Sequence, residues 1–191
     1  MAVDPREKIR AFLALPLAEA FESWVQPVIE KLRTQYPEVK WVQPNQIHVT
    51  LHFFGQVETN EIPTISDCVL PVTSASKPLD LFLKGIGAFP NLERPRVIWA
   101  GIEGEVERLG ELHKNLEDRF QKAGFPCEGR MFKPHLTLGR MREGKRLASF
   151  RIPEFGPTER KQISELILYK STLTPAGPVY EKVQTYPLSA A

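Results

Sequence analysis

The sequence predicts an α+β fold in which antiparallel strand pairs dominate and helices cover the outer faces. Three observations predict it. Short runs with period-two alternation recur along the whole 191-residue chain. Segments with helical spacing stand between them as single blocks, not in strict strand–helix alternation. Several strand runs come in adjacent pairs joined by Pro-, Gly- or Asn-rich turns.

The elements follow in order. Residues 8–17, "KIRAFLALPL", read as a first strand. Residues 20–33 form a helix, with Phe21, Trp24, Val25, Val28, Ile29 and Leu32 at helical spacing; Pro27 marks a kink or a late start. Residues 40–55, "KWVQPNQIHVTLHFFG", give a short strand, a turn at Pro44-Asn45 and a longer strand. Residues 59–70 suit a second helix. Residues 78–90 and 94–102 read as a hairpin, with Leu79, Leu81 and Leu83 alternating in its first arm. Residues 105–122 form the clearest helix: Val106, Leu109, Leu112, Leu116 and Phe120 make one stripe, and Gly124 ends it. His113 lies off the stripe and reads as solvated. Residues 129–142 hold another strand, and 164–188 a last hairpin turning at Pro175 to Pro178.

Composition bounds the function. Hydrophobic content of 42% and charged content of 25% are those of a soluble globular protein with material for its own core. The net charge of +2 is too small for a nucleic-acid coat protein, though a local basic patch fits it. Cys68 and Cys127 form no Cys-x-x-Cys and have no His at zinc spacing, so they read as free thiols in a reducing cytoplasm. Arg10, Pro16 and Glu19 interrupt the apolar start, which reads as a strand entering a helix and not as a signal peptide. No apolar run approaches membrane-spanning length.

The informative feature is a doubling. "IHVTLHF" carries His48 and Thr50; "PHLTLGR" carries His135 and Thr137. The separation is 135 − 48 = 87 residues, a little under half the chain. A single His-x-Thr is a weak signal, and its bland reading is a solvated strand face or a strand-end cap. Two copies with matched flanks argue otherwise. Alternation predicts Val49, Leu51 and Phe53 on a core face, with His48, Thr50 and His52 opposite. It likewise sets Leu136 and Leu138 against His135 and Thr137. If the halves pack with a pseudo-two-fold relation, the two His-Thr pairs face each other across a cleft. Two imidazoles on opposite sides of one phosphorus suit in-line displacement, one accepting a proton from the attacking oxygen and one donating to the leaving oxygen. The threonine hydroxyls suit the non-bridging oxygens. This chemistry calls for no metal or cofactor. Zinc on His48 and His135 lacks a third ligand at recognisable spacing, and no Gly-x-Ser-x-Gly marks a serine nucleophile.

These residues resemble the two His-x-Thr motifs of the 2H phosphoesterase superfamily. The wider context resembles its RNA 2′,3′-cyclic phosphodiesterase (2′-5′ RNA ligase-like) branch. "RAFLAL", "NQIHVTLHFFG", "RPRVIWAGI", "GRMFKPHLTLGR" and the closing hairpin extend the likeness over nearly the whole chain. The resemblance implies one bilobal domain over residues 1–191, with two pseudo-symmetric antiparallel-rich sheets, helices outside and a central cleft carrying both motifs. It implies metal-independent opening of an RNA-terminal 2′,3′-cyclic phosphate to a 2′-phosphate, with His48 as acid and His135 as base. RNA ends or nucleoside 2′,3′-cyclic phosphates would be the partners of a cytoplasmic monomer, with no membrane involved. The alternatives are 2′-5′ RNA ligation through the same site and an inactive nucleotide- or RNA-binding module. Arg130 and Arg140 match arginines that the family carries beside its second motif, and an arginine fork suits phosphate. Strand parity opposes Arg140, which falls on the face of Leu136 and Leu138 unless Gly139 bends the strand. Phe12 suits either base stacking or core packing; Trp99 and Phe132 read as core or cleft wall. The chain departs from the family at His52, where Lys or a small residue is common. A third cleft histidine would shift neighbouring pKa values or bind phosphate.

Overall fold

The computed structural model describes residues 6–127, 129, 131–142, 145, 147, 150–152, 155–175 and 177–190. Arg130 lies outside the described residues. Nine strands and three α-helices are described: β1 (Lys8–Pro16), α1 (Ala18–Gln35), β2 (Val39–Trp41), β3 (His48–Glu58), α2 (Ile62–Ser74), β4 (Leu79–Phe89), β5 (Val97–Gly104), α3 (Val106–Lys122), β6 (His135–Met141), β7 (Lys161–Ile163), β8 (Glu165–Thr174) and β9 (Gly177–Pro187). The strands form two antiparallel sheets, ordered β3-β1-β8-β9 and β2-β6-β5-β4-β7. The fold is α+β with one motif strand in each sheet, as the sequence predicts.

The sheets do not divide the chain at its middle. The first sheet joins β1 and β3 to the closing hairpin β8–β9, while β2, from the first half, pairs with β6 of the second motif. The two ends of the chain thereby enclose the second sheet's segments, and the motif strands β3 and β6 come into contact with each other.

Helix faces follow the apolar spacing. α1 buries Phe21, Val25, Val28, Ile29 and Leu32 and runs unbroken through Pro27. Pro27 is exposed, so the carbonyl it leaves unpaired within the helix can meet water. α3 buries Leu109, Leu112, Leu116 and Phe120 and stops at Gly124, whose φ of 89° suits a residue without Cβ. His113 is not solvated as its spacing predicts. It is half-buried and stacks on Phe132, ring centroids 3.9 Å apart and nearly parallel.

Candidate active site

Two β-bulges, one in each motif, shape the site. Between β1 and β3, Leu13 pairs with His52 while the next residue, Ala14, pairs with Thr50, so Leu51 is an extra residue. Between β5 and β6, Ile98 pairs with Gly139 while Trp99 pairs with Thr137, so Leu138 is the extra residue. Both bulges fall on the leucine that follows His-x-Thr. A bulge adds one residue to one strand and so reverses the alternation beyond it.

That reversal corrects the predicted faces. His52 does not join His48 and Thr50. It is 5% exposed and turns into the core. Phe53 moves the other way, 40% exposed, on the face of His48 and Thr50, with the Arg10 guanidinium 4.8 Å over its ring. In the second motif the same reversal brings Arg140 to the face of His135 and Thr137 and removes the parity objection. Gly139, the counterpart of His52, points inward, where an added Cβ would sit 2.6 Å from Val39 and 2.9 Å from Trp41. Bulk fills the core after the first motif and only hydrogen fits after the second.

The imidazoles are held alike. His48 Nδ1 donates to the Gln46 carbonyl at 2.8 Å, and His135 Nδ1 donates to the Lys133 carbonyl at 2.7 Å. Each partner lies two residues upstream. Because a carbonyl only accepts, both Nδ1 atoms carry hydrogen, and each Nε2 is left for chemistry. Burial pushes the pKa of both histidines below the ordinary value; the carbonyl bonds oppose this and the positive charge of Arg140 adds to it. Arg140 therefore acts electrostatically on both imidazoles, which ties the motifs to one site.

Thr50 is exposed and Thr137 half-buried, and among the described residues neither hydroxyl makes a hydrogen bond. Arg140 is exposed and forms no salt bridge among the described residues. Lys40 on β2 lies directly opposite it. Two like charges side by side repel unless an anion joins them. Arg10 and Arg140 both act on the Tyr180 hydroxyl from the closing hairpin. The site combines two imidazoles, two hydroxyls without a hydrogen bond among the described residues and the cations Arg10, Lys40 and Arg140, a set suited to proton transfer around an anionic phosphoryl group.

Phe12 is 4% exposed. Its ring lies 4.9 Å from His48, 5.3 Å from Tyr169 and 5.1 Å from Tyr180, so it buttresses the first histidine and leaves no open face for a base. Phe89 sets its edge to His135 at 5.0 Å, and Trp99 lies across the strand pair from Thr137. Sequence reasoning missed Lys40, Phe89, Tyr169 and Tyr180.

Comparison with known proteins agrees with this geometry. A family model described as LigT like Phosphoesterase matches residues 15–99 and 101–180. The RNA 2′,3′-cyclic phosphodiesterase of Methanothermobacter thermautotrophicus is 36% identical over 186 residues, covering 95% of this chain and all of that protein. The protein of that name from Thermus thermophilus is 30% identical over 184 residues, covering 94% and 90%. Among solved structures, TT0787 of Thermus thermophilus superposes with a TM-score of 0.79 at 28% identity, covering 95% of this chain and 99% of its own. E. coli LigT complexed with 3′-AMP shares the fold, with a TM-score of 0.75 at 24% identity, covering 96% and 99%. The match along nearly the full chain, with both His-x-Thr strands inside it, places the protein in the LigT-like, or 2H, phosphoesterase family.

Proposed function

We propose that this chain hydrolyses RNA-terminal 2′,3′-cyclic phosphate to 2′-phosphate, with His135 as base, His48 as acid and no metal in the chemical step. The observation that carries the proposal is the position of Arg140, whose charge acts on two imidazoles presented in the same way. Relatives named RNA 2′,3′-cyclic phosphodiesterase at 36% and 32% identity support the substrate class.

Water loses a proton to His135 Nε2 as its oxygen attacks phosphorus. The bond from phosphorus to O3′ breaks, and O3′ takes the proton from His48 Nε2. The products are a 2′-monophosphate and a free 3′-hydroxyl. Since both Nδ1 atoms already carry hydrogen, His48 acts as imidazolium and His135 as neutral imidazole. Thr50 and Thr137 donate to the non-bridging oxygens, where charge grows in the transition state. Arg140 adds a fork of donors, and Arg130 is assigned the same role from the family resemblance. Phe12 steadies the His48 ring.

Residues 1–191 act in this reading as one bilobal unit, a monomer working on RNA ends or nucleoside 2′,3′-cyclic phosphates in the cytoplasm. No described helix is long and apolar enough to cross a membrane. Incubation with a nucleoside 2′,3′-cyclic phosphate, with products resolved by chromatography, tests the reading. The 2′-monophosphate alone is expected. A 3′-monophosphate product would reverse the assignment of the leaving oxygen, and no turnover would leave a binding module.

A further inference from the structure

His52, turned inward by the first bulge, meets two other ligand-bearing side chains. Its Nδ1 contacts the Glu117 carboxylate of α3. Cys127, in the segment between α3 and β6, donates from Sγ to the Glu117 backbone carbonyl at 3.6 Å. One ligand atom from each of the three lies within 4.8 Å of the other two. We propose that His52 Nδ1, Glu117 and Cys127 Sγ form a structural zinc site, separate from the catalytic cleft, that ties β3, α3 and the approach to β6 together.

The donor set fits the ion. Nitrogen, carboxylate oxygen and thiolate sulfur are the three ligand types of protein zinc, bound at about 2.0–2.3 Å. A tetrahedron with such bonds holds its ligand atoms about 3.3–3.8 Å apart, so the direct His52–Glu117 contact opens to admit the ion while the widest spacing, up to 4.8 Å, narrows. One carboxylate and one thiolate balance the charge of a divalent cation. Water takes the fourth position. The side chain of Glu117 is 21% exposed against 3% for His52, so the ion enters along the Glu117 edge.

The histidine itself supplies an independent observation. The His52 ring packs against Phe54 at 4.4 Å and Phe120 at 4.6 Å, and its buried Nε2 has no hydrogen-bond partner. A buried ring nitrogen with no polar partner beside aromatic rings is an unsatisfied polar atom. Zinc on Nδ1 fixes the ring hydrogen on Nε2, where an N–H can point at an aromatic face. Zinc displaces the Cys127 thiol proton to solvent on binding.

The test uses the full-length, tag-free chain, stripped with chelator and titrated with Co²⁺ as a spectroscopic stand-in, then with Zn²⁺. One equivalent of Co²⁺ per chain is expected, with sulfur-to-cobalt charge-transfer absorption that Zn²⁺ abolishes by displacement. Zinc should raise Tm, because it binds the folded chain. Cys127→Ser should remove the charge-transfer absorption. Glu117→Gln, checked for native circular dichroism, should weaken Co²⁺ binding by at least about tenfold. Absence of stoichiometric cobalt, or equal binding and absorption in the parent and in Cys127→Ser, overturns the proposal.

Discussion

Replacing Arg140 by Met tests the site through three readouts at once. Arg140 is exposed, unpaired among the described residues and opposite Lys40, so its loss removes repulsion and no contact. Stability should stay within about 0.5 kcal/mol of the parent, the usual range for surface substitutions. Catalysis should suffer far more. A hydrogen bond to a charged group contributes about 1.5–3 kcal/mol. Loss of one donor aimed at developing negative charge lowers kcat by roughly 10²–10³. The third readout is the pH profile. Arg140 holds both imidazoles lower than burial alone would, so its removal raises both pKa values and moves both limbs of kcat/KM to higher pH. Burial remains and is the larger cause, so neither limb should pass the ordinary histidine value of about 6.5. Arg140→Lys keeps the charge and loses the fork; it should restore the limbs without restoring kcat. Steady-state kinetics on a nucleoside 2′,3′-cyclic phosphate across the histidine range, beside urea unfolding, measure all three. An Arg140→Met variant with parental kcat/KM and parental limbs refutes the reasoning.

Other outcomes follow from the same geometry. Turnover below the melting temperature should survive excess EDTA, since the base, the acid and every oxyanion donor in the proposed step are side chains; loss of turnover with rescue by added zinc or magnesium would place a metal in the reaction. Stability should fall on acidification. The folded pKa values of His48 and His135 lie below the unfolded value, so their contribution is complete above about pH 6.5 and is lost as pH drops through the folded values. A double His→Ala variant should show a shallower acid loss in urea unfolding, and an unchanged slope counts against the assignment. Leu51→Ala removes a side chain that is 4% exposed and should cost about 2–5 kcal/mol, with turnover of the folded fraction largely kept.

What the sequence disclosed was local. The paired His-x-Thr motifs, the stripe of α3 and the two hairpins rest on spacing within one element, and spacing is written in the chain. The faces beyond each motif were not legible. A bulge is defined by the partner strand, and nothing in "HVTLHFF" says that Leu13 and Ala14 of β1 will span three residues of it. For that reason His52 and Phe53 exchange faces against expectation, while Arg140 reaches the cleft. Tyr169 and Tyr180 were illegible for a related reason. They reach His48 only because the chain's last hairpin completes the sheet begun by β1. His52, Glu117 and Cys127 likewise meet through tertiary packing, with the first pair 65 positions apart in sequence and the second pair 10.

The central claim is that His48 and His135 act on one phosphorus as acid and base. The most direct measurement is kcat on a nucleoside 2′,3′-cyclic phosphate for the parent, His48→Ala, His135→Ala and the double variant, each shown to be folded. Each single change should lower kcat by roughly 10²–10⁴, the span for losing one general acid or base. The double variant should be little worse than either single, because the two groups serve one transition state as a unit. Losses that multiply in the double variant, or a single variant that keeps its turnover, would contradict the account.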